Sequence, residues 1–232
     1  MMAPKVIRRG NFRWLLIALI VVLFCDAIVN QLESPHGRLL VNVGLLFILF
    51  SAIWTLDSGQ QGWRKWKYAM TVVIAGLMVG NALIDSKILA MGTQAGCFLY
   101  LCLSLYLVWK QVLFTGPVDT NKIIGSICIY ILLGLVWAFG YLLTEAVFPG
   151  SFNGLNAEVW QTNLQQFVYY SMVTLTTVGY GDISPEQPVA HFLAYMEGVT
   201  GIFYTTILVA SLLGVQLGNK PTPVVAAAEP DS

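Results

Sequence analysis

Six runs of apolar residues separated by polar connectors dominate the pattern along this chain. They cover residues 14–29, 39–56, 68–84, 88–114, 123–148 and 189–217. Spanning a hydrocarbon core takes roughly 17–25 helical residues, so the first run is marginal and the last three are generous. Asn11, Phe12 and Asn30 can extend the first at little cost. The pattern predicts an all-α membrane protein with six transmembrane helices. Between the fifth and sixth spans it predicts one more helix, of half length. Pro149-Gly150-Ser151-Phe152-Asn153-Gly154 reads there as a turn-rich loop, and Thr162 and Gln165 have capping-box spacing. Residues 164–176 contain no glycine or proline. A helix of that length measures roughly 20 Å, enough to reach mid-bilayer and too short to cross. The chain must then return as irregular backbone at membrane depth, which is tolerated only where protein or a water-filled path satisfies it. Such a re-entrant helix would aim the negative end of its dipole at the membrane centre, where it favours a cation.

Composition agrees with a bilayer setting. The chain is 57% hydrophobic and 10% charged, against a charged fraction of about 25% in soluble domains. Lys+Arg and Asp+Glu number twelve each, so net charge carries no information about partners, but the distribution of cations does. Lys5, Arg8, Arg9, Arg13, Arg64, Lys65, Lys67, Lys110, Lys122 and Lys220 fall on one side of the six spans; only Arg38 and Lys87 fall on the other. The positive-inside rule then puts both termini in the cytoplasm of a multi-pass plasma-membrane protein, the inner membrane if the source is bacterial. Glu33, Glu145, Glu158, Asp182 and Glu186 come to lie outside. Trp14, Trp54, Trp63, Trp66 and Trp109 cluster near the inner boundaries, as in an aromatic belt. The basic clusters are topology signals, so nucleic acid is not an expected partner. A secretory signal peptide competes for the first span, but the small-residue cleavage site is missing and the span is expected to be retained. Cys25, Cys97, Cys102 and Cys128 lie within spans, match no zinc spacing and read as small hydrophobes. No nucleotide or nucleophile motif is present, so neither an enzyme nor an organic cofactor is expected.

The segment after the half-length helix carries the chemistry. It reads Thr176-Thr177-Val178-Gly179-Tyr180-Gly181-Asp182, with two glycines two apart where the backbone can take conformations that side chains resist. Together with Phe167-Val168-Tyr169-Tyr170-Ser171-Met172-Val173-Thr174-Leu175 before it, this resembles the pore helix and selectivity filter of the tetrameric potassium-channel superfamily, in a small bacterial-type member. The resemblance continues through Ile183-Ser184-Pro185 into the sixth span and covers residues 120–218. It implies a homotetramer in which four loops present rings of carbonyl oxygens that replace the hydration shell of K+. The ion would be held at Thr177, Val178, Gly179 and Tyr180, with Gly181 closing the run and the Thr177 hydroxyl forming the innermost site. Thr176 and Asp182 would support the filter. Many family members have paired tryptophans where this chain has Tyr169 and Tyr170. The tyrosines either bond to the filter frame, with Tyr169 a candidate partner for Asp182, or simply pack.

Two residues of the sixth span are gating candidates. Gly201 lies where family members carry a glycine that lets the inner helix bend, though a membrane-helix glycine can instead allow close packing, as Gly198 could. Glu197 is an ionisable group within a span, a functional hypothesis by default. It faces either the pore helix or the cavity, and is either a neutral acid supporting the filter or a structural polar contact between helices.

Voltage control is not expected. The fourth span holds no arginine, its only basic residue being Lys110 at the inner edge, and moving one charge through 100 mV is worth only about 2.3 kcal/mol. Asp26, Asn42, Asn81 and Asp85, near the outer ends of the first three spans, form either a sensing cluster or a membrane boundary. The expected organisation is a four-helix peripheral domain (1–115), a pore domain (120–218) and a short cytoplasmic tail (219–232) with no room for a ligand-binding domain. The partners are then K+, the bilayer and further copies of the chain, and the function is passive potassium conduction. A secondary carrier would show paired broken helices, and only one re-entrant loop is visible. A non-conducting sensory membrane protein that keeps a pore-like fold is the other alternative.

Overall fold

The computed structural model describes residues 12–31, 61–84, 86–114, 120–155 and 160–218. The expected second span, Asn42, Asp85 and the tail from 219 onward lie outside the described residues, as do the side chains of Cys25 and Asp26. Among the described residues six helices form: α1 (Phe12–Gln31), α2 (Gln61–Ile84), α3 (Lys87–Phe114), α4 (Thr120–Val147), α5 (Trp160–Leu175) and α6 (Pro188–Gly218); each overlaps a predicted run, and α2 begins well before its apolar run at Tyr68. Two two-residue strands, β1 (Phe152–Asn153) and β2 (Ser184–Pro185), complete the order. Among the described residues, Lys87–Val112 and Asn121–Val147 are long and apolar enough to cross a membrane, and Phe12–Phe24 and Tyr68–Asn81 are shorter apolar stretches. Helix α5 begins at Trp160, so Thr162 lies inside its first turn and is not the cap that the sequence suggested. Nothing in Trp160-Gln161 opposes helix, and the helix extends back through them.

Helix α4 is apolar on all sides, which suits a helix surrounded by others. It packs against α1, α3, α5 and α6, while α2 joins through α3. Leu132, Leu135, Ala138, Phe139, Tyr141 and Leu142 of α4 are all buried. The N-terminus of α1 is tied to the start of α4, with the Phe12 N–H donating to Asn121 Oδ1 at 3.1 Å. Cys97, Cys102 and Cys128 are free thiols, and Cys97 and Cys128 belong to the buried core.

Helix α6 is one-sided. Ala190, Glu197 and Gly201 are buried, and Leu193, Ala194 and Tyr204 are half-buried, a stripe at spacings of three and four that faces its neighbours. The rest of the helix shows Phe192, Tyr195, Val199, Ile202, Phe203 and Ile207 to the outside. Ile17, Ile20 and Phe24 of α1 and Val72, Val79 and Leu83 of α2 are exposed in the same way. Apolar surface on this scale calls for lipid or protein against it.

Leu132 is fully buried at the centre of α4, where truncation leaves a cavity. Leu132→Ala should destabilise the fold by about 2–5 kcal/mol, read as a lower unfolding midpoint in detergent. Truncation of exposed Val72 in α2 should leave the midpoint unchanged.

Candidate functional site

The last turn of α5 meets a constraint common to helix ends: its final four carbonyls have no intrahelical donor. Here all four are satisfied. Met172 O accepts from the Thr176 N–H at 3.1 Å, Thr174 O from Thr177 at 2.9 Å, and Val173 O from Val178 at 2.9 Å. Leu175 O accepts from the Tyr130 hydroxyl of α4 at 3.1 Å. Bonds from Val178 to Val173 and from Thr177 to Thr174, with Thr177 left-handed at φ 61°, make a Schellman termination. Glycine is usual at that left-handed position, and a β-branched residue there is strained.

Beyond Thr177 the backbone alternates in handedness. Thr177, Gly179 (φ 57°) and Gly181 (φ 80°) are positive, while the intervening Val178 and Tyr180 are not. Alternating conformations of this kind turn successive peptide groups the same way, whereas a strand would alternate them. The N–H groups of Thr176, Thr177 and Val178 are bonded to α5, and that of Gly179 reaches Val173 O at 3.4 Å. Among the described residues, no hydrogen bond reaches the carbonyls of Thr177, Val178, Gly179 or Tyr180. Thr176 through Asp182 are exposed on the single chain, Val178 to 53% and Tyr180 to 71%.

Each end of this segment is clamped. At the inner end, a Cβ on Gly201 would run into the Leu175 carbonyl, so α6 crosses the tip of α5 at backbone contact. Helix α6 runs unbroken through Gly201. Close packing is thus one role of this glycine, whereas a Cβ on Gly198 would meet nothing within 4 Å. At the outer end, β1 and β2 pair antiparallel, Phe152 opposite Pro185 and Asn153 opposite Ser184. Gly154, at φ 87°, lies so close that a Cβ would run into the Asp182 carbonyl. The loop carrying β1 is fastened to α4 by Glu145, whose carboxylate accepts from the N–H groups of Gly150 (2.7 Å), Ser151 (2.9 Å) and Phe152 (3.2 Å).

The flank is held by aromatic residues, and the two adjacent tyrosines divide the work. Successive residues on a helix point about 100° apart. Tyr169 is turned to the exposed segment, stacking on Tyr180 at 6.4 Å between ring centroids, with its hydroxyl toward the Asp182 side chain. Tyr170 is buried and packs edge-on against Tyr141 of α4 (5.1 Å) and Phe152 of β1 (5.7 Å). Phe167 closes the cluster against Phe152 at 4.9 Å. The two adjacent rings thus face different neighbours, Tyr169 the 176–182 segment and Tyr170 the buried cluster.

Glu197 points into the protein between α4, α5 and α6, and its side chain is fully buried. Its carboxyl oxygens are engaged by the hydroxyls of Tyr141 on α4 and Ser171 on α5. Of the two orientations open from sequence, it takes the one toward α5. Tyr141, Ser171, Glu145 and Phe152 were not singled out from sequence. The one available signal was that Glu145 and Glu197 are carboxylates at or within apolar spans.

Residues 127–215 match the family model described as "Ion channel". No curated protein and no solved structure matches the chain. The matched residues run from α4 through β1, α5, the 176–182 segment and β2 to near the end of α6, so they contain every contact just described. The match and the apolar helices together support an ion channel in a membrane.

Two glycine substitutions test the clamps. Gly201→Ala should lower the unfolding midpoint, while Gly198→Ala should leave it in place. Gly154→Ala should speed amide hydrogen exchange at Phe152, Asn153, Ser184 and Glu186 without changing that of α4. Unchanged exchange there would mean the loop does not hold the segment.

Proposed function

We propose that this protein is a potassium-selective channel conducting K+ passively across the plasma membrane, as a homotetramer of six-span subunits with both termini in the cytoplasm. The observation that carries the reading is the row of carbonyls at Thr177, Val178, Gly179 and Tyr180, which among the described residues receive no donor while their own end of the chain is tied by its N–H groups to α5. Backbone carbonyls require a partner. K+ stripped of water is a partner that four converging rows of oxygen satisfy. In this reading the ion is coordinated at Thr177, Val178, Gly179 and Tyr180. Gly181 ends the row, and Thr176, Asp182, Tyr169 and Tyr170 hold its frame.

One chain supplies one wall of such a path, and the exposure of the segment and of the outer face of α6 supports assembly of several copies around it. Residues 120–218 form the pore domain and residues 1–115 a peripheral domain. Gly201 is a gating candidate through its contact with the tip of α5. The absence of arginine from α3 argues against control by voltage, since such a helix has almost no charge to move.

The test is electrical. Purified protein in planar bilayers, with K+ and Na+ gradients opposed, should give currents that reverse at the potassium equilibrium potential. Reversal that ignores the potassium gradient would remove the selectivity. Transport with no unitary current steps would point to a carrier instead.

A further inference from the structure

The contacts of Glu197 form a chain of oxygens that can be counted. Tyr141 Oη meets one carboxyl oxygen, Ser171 Oγ meets the other, and Ser171 Oγ also lies 2.7 Å from the Gly134 carbonyl of α4. Each of these three contacts needs one hydrogen between its two oxygens. A tyrosine hydroxyl supplies one and a serine hydroxyl supplies one; a main-chain carbonyl supplies none. Were the carboxyl ionised, Ser171 would donate to Gly134 or to Glu197 and face the other lone pair to lone pair. A proton on Glu197 removes the conflict. Tyr141 then donates to Glu197, Glu197 to Ser171, and Ser171 to Gly134.

The surroundings agree. The side chain is wholly removed from solvent, and among the described residues no cation pairs with it. Isolated buried carboxylates are expensive in such a site. The titratable groups that face it from the packed elements are tyrosines: Tyr141 and Tyr130 from α4 and Tyr170 from α5. Tyr130 is itself bound to Leu175 O, and Tyr170 is bonded to Thr174 within α5.

The geometry points to Glu197 as a neutral carboxylic acid whose proton closes a hydrogen-bond chain joining α4, α5 and α6, which makes it the positioning residue for α5 and the carbonyl row that α5 carries. Loss of the proton puts a buried charge against Ser171 and opens the chain at the pore helix. The consequence for conduction rests on the channel reading above; the protonation state does not.

The test therefore has two arms. Infrared difference spectra of the purified wild-type protein at neutral pH should contain a protonated-carboxyl carbonyl absorption that disappears on alkaline titration and is missing from Glu197→Gln. In bilayers, Glu197→Gln should conduct at neutral pH within about twofold of wild type, because its amide oxygen accepts from Tyr141 and its NH2 donates to Ser171. Wild-type current should fall about tenfold as the proton is lost, the scale of one broken hydrogen bond, while Glu197→Gln stays flat over the same range. A purely structural contact would give both proteins the same pH profile. Absence of the infrared band, or superimposable pH profiles, would overturn the assignment. Should wild type carry no potassium current at all, the channel reading falls and the infrared arm still decides the proton.

Discussion

The arrangement of residues 120–218 depends on how one helix end is finished. Helix α5 stops at Leu175, and the N–H groups of the next residues fold back onto its last carbonyls. That choice satisfies the helix and leaves the carbonyls of Thr177 to Tyr180 without a hydrogen bond among the described residues. It also demands a left-handed Thr177, a conformation that a β-branched residue resists. Neither cost would be tolerated by a loop free to relax, so the rest of the domain is built to prevent relaxation.

Three restraints do this from different directions. Helix α6 lies against the tip of α5 at Gly201, and Tyr130 of α4 bonds the carbonyl at that same point. The loop after α4 is held by the Glu145 carboxylate and delivers β1 and Gly154 to the far end, against β2 and Asp182. Between the two ends, Tyr169 reaches Asp182 and Tyr180 while Tyr170, Phe167, Phe152 and Tyr141 fill the space toward α4. Tyr141 belongs to two of these systems. Its ring is part of the aromatic cluster and its hydroxyl binds Glu197, so packing and hydrogen bonding are coupled through one side chain.

The roles of the charged residues follow from their depth. Glu145, near the end of α4, meets backbone N–H groups that welcome an anion. Glu197, deep among three helices, meets hydroxyls and a carbonyl, where a charge is unwelcome. The same functional group thus does opposite electrostatic work in one domain. The surface tells a parallel story, since the apolar outer face of α6 calls for lipid or protein against it.

Local features were legible in the sequence because their causes are local. Apolar runs and missing glycine or proline determined the positions of α1, α3, α4 and α6 to within about three residues and the existence of a half-length α5. The spacing of Gly179 and Gly181 marked where the backbone could alternate in handedness. Which way a helix residue faces is a different matter, because it depends on the neighbour chosen and the rotation at which the two helices pack. Tertiary structure alone turned Glu197 toward Ser171 and Tyr141, separated Tyr169 from Tyr170, and found Gly201 a backbone contact at Leu175. The bonds that hold Glu197 join residues 26 and 56 positions apart, distances across which no hydrophobic period carries information.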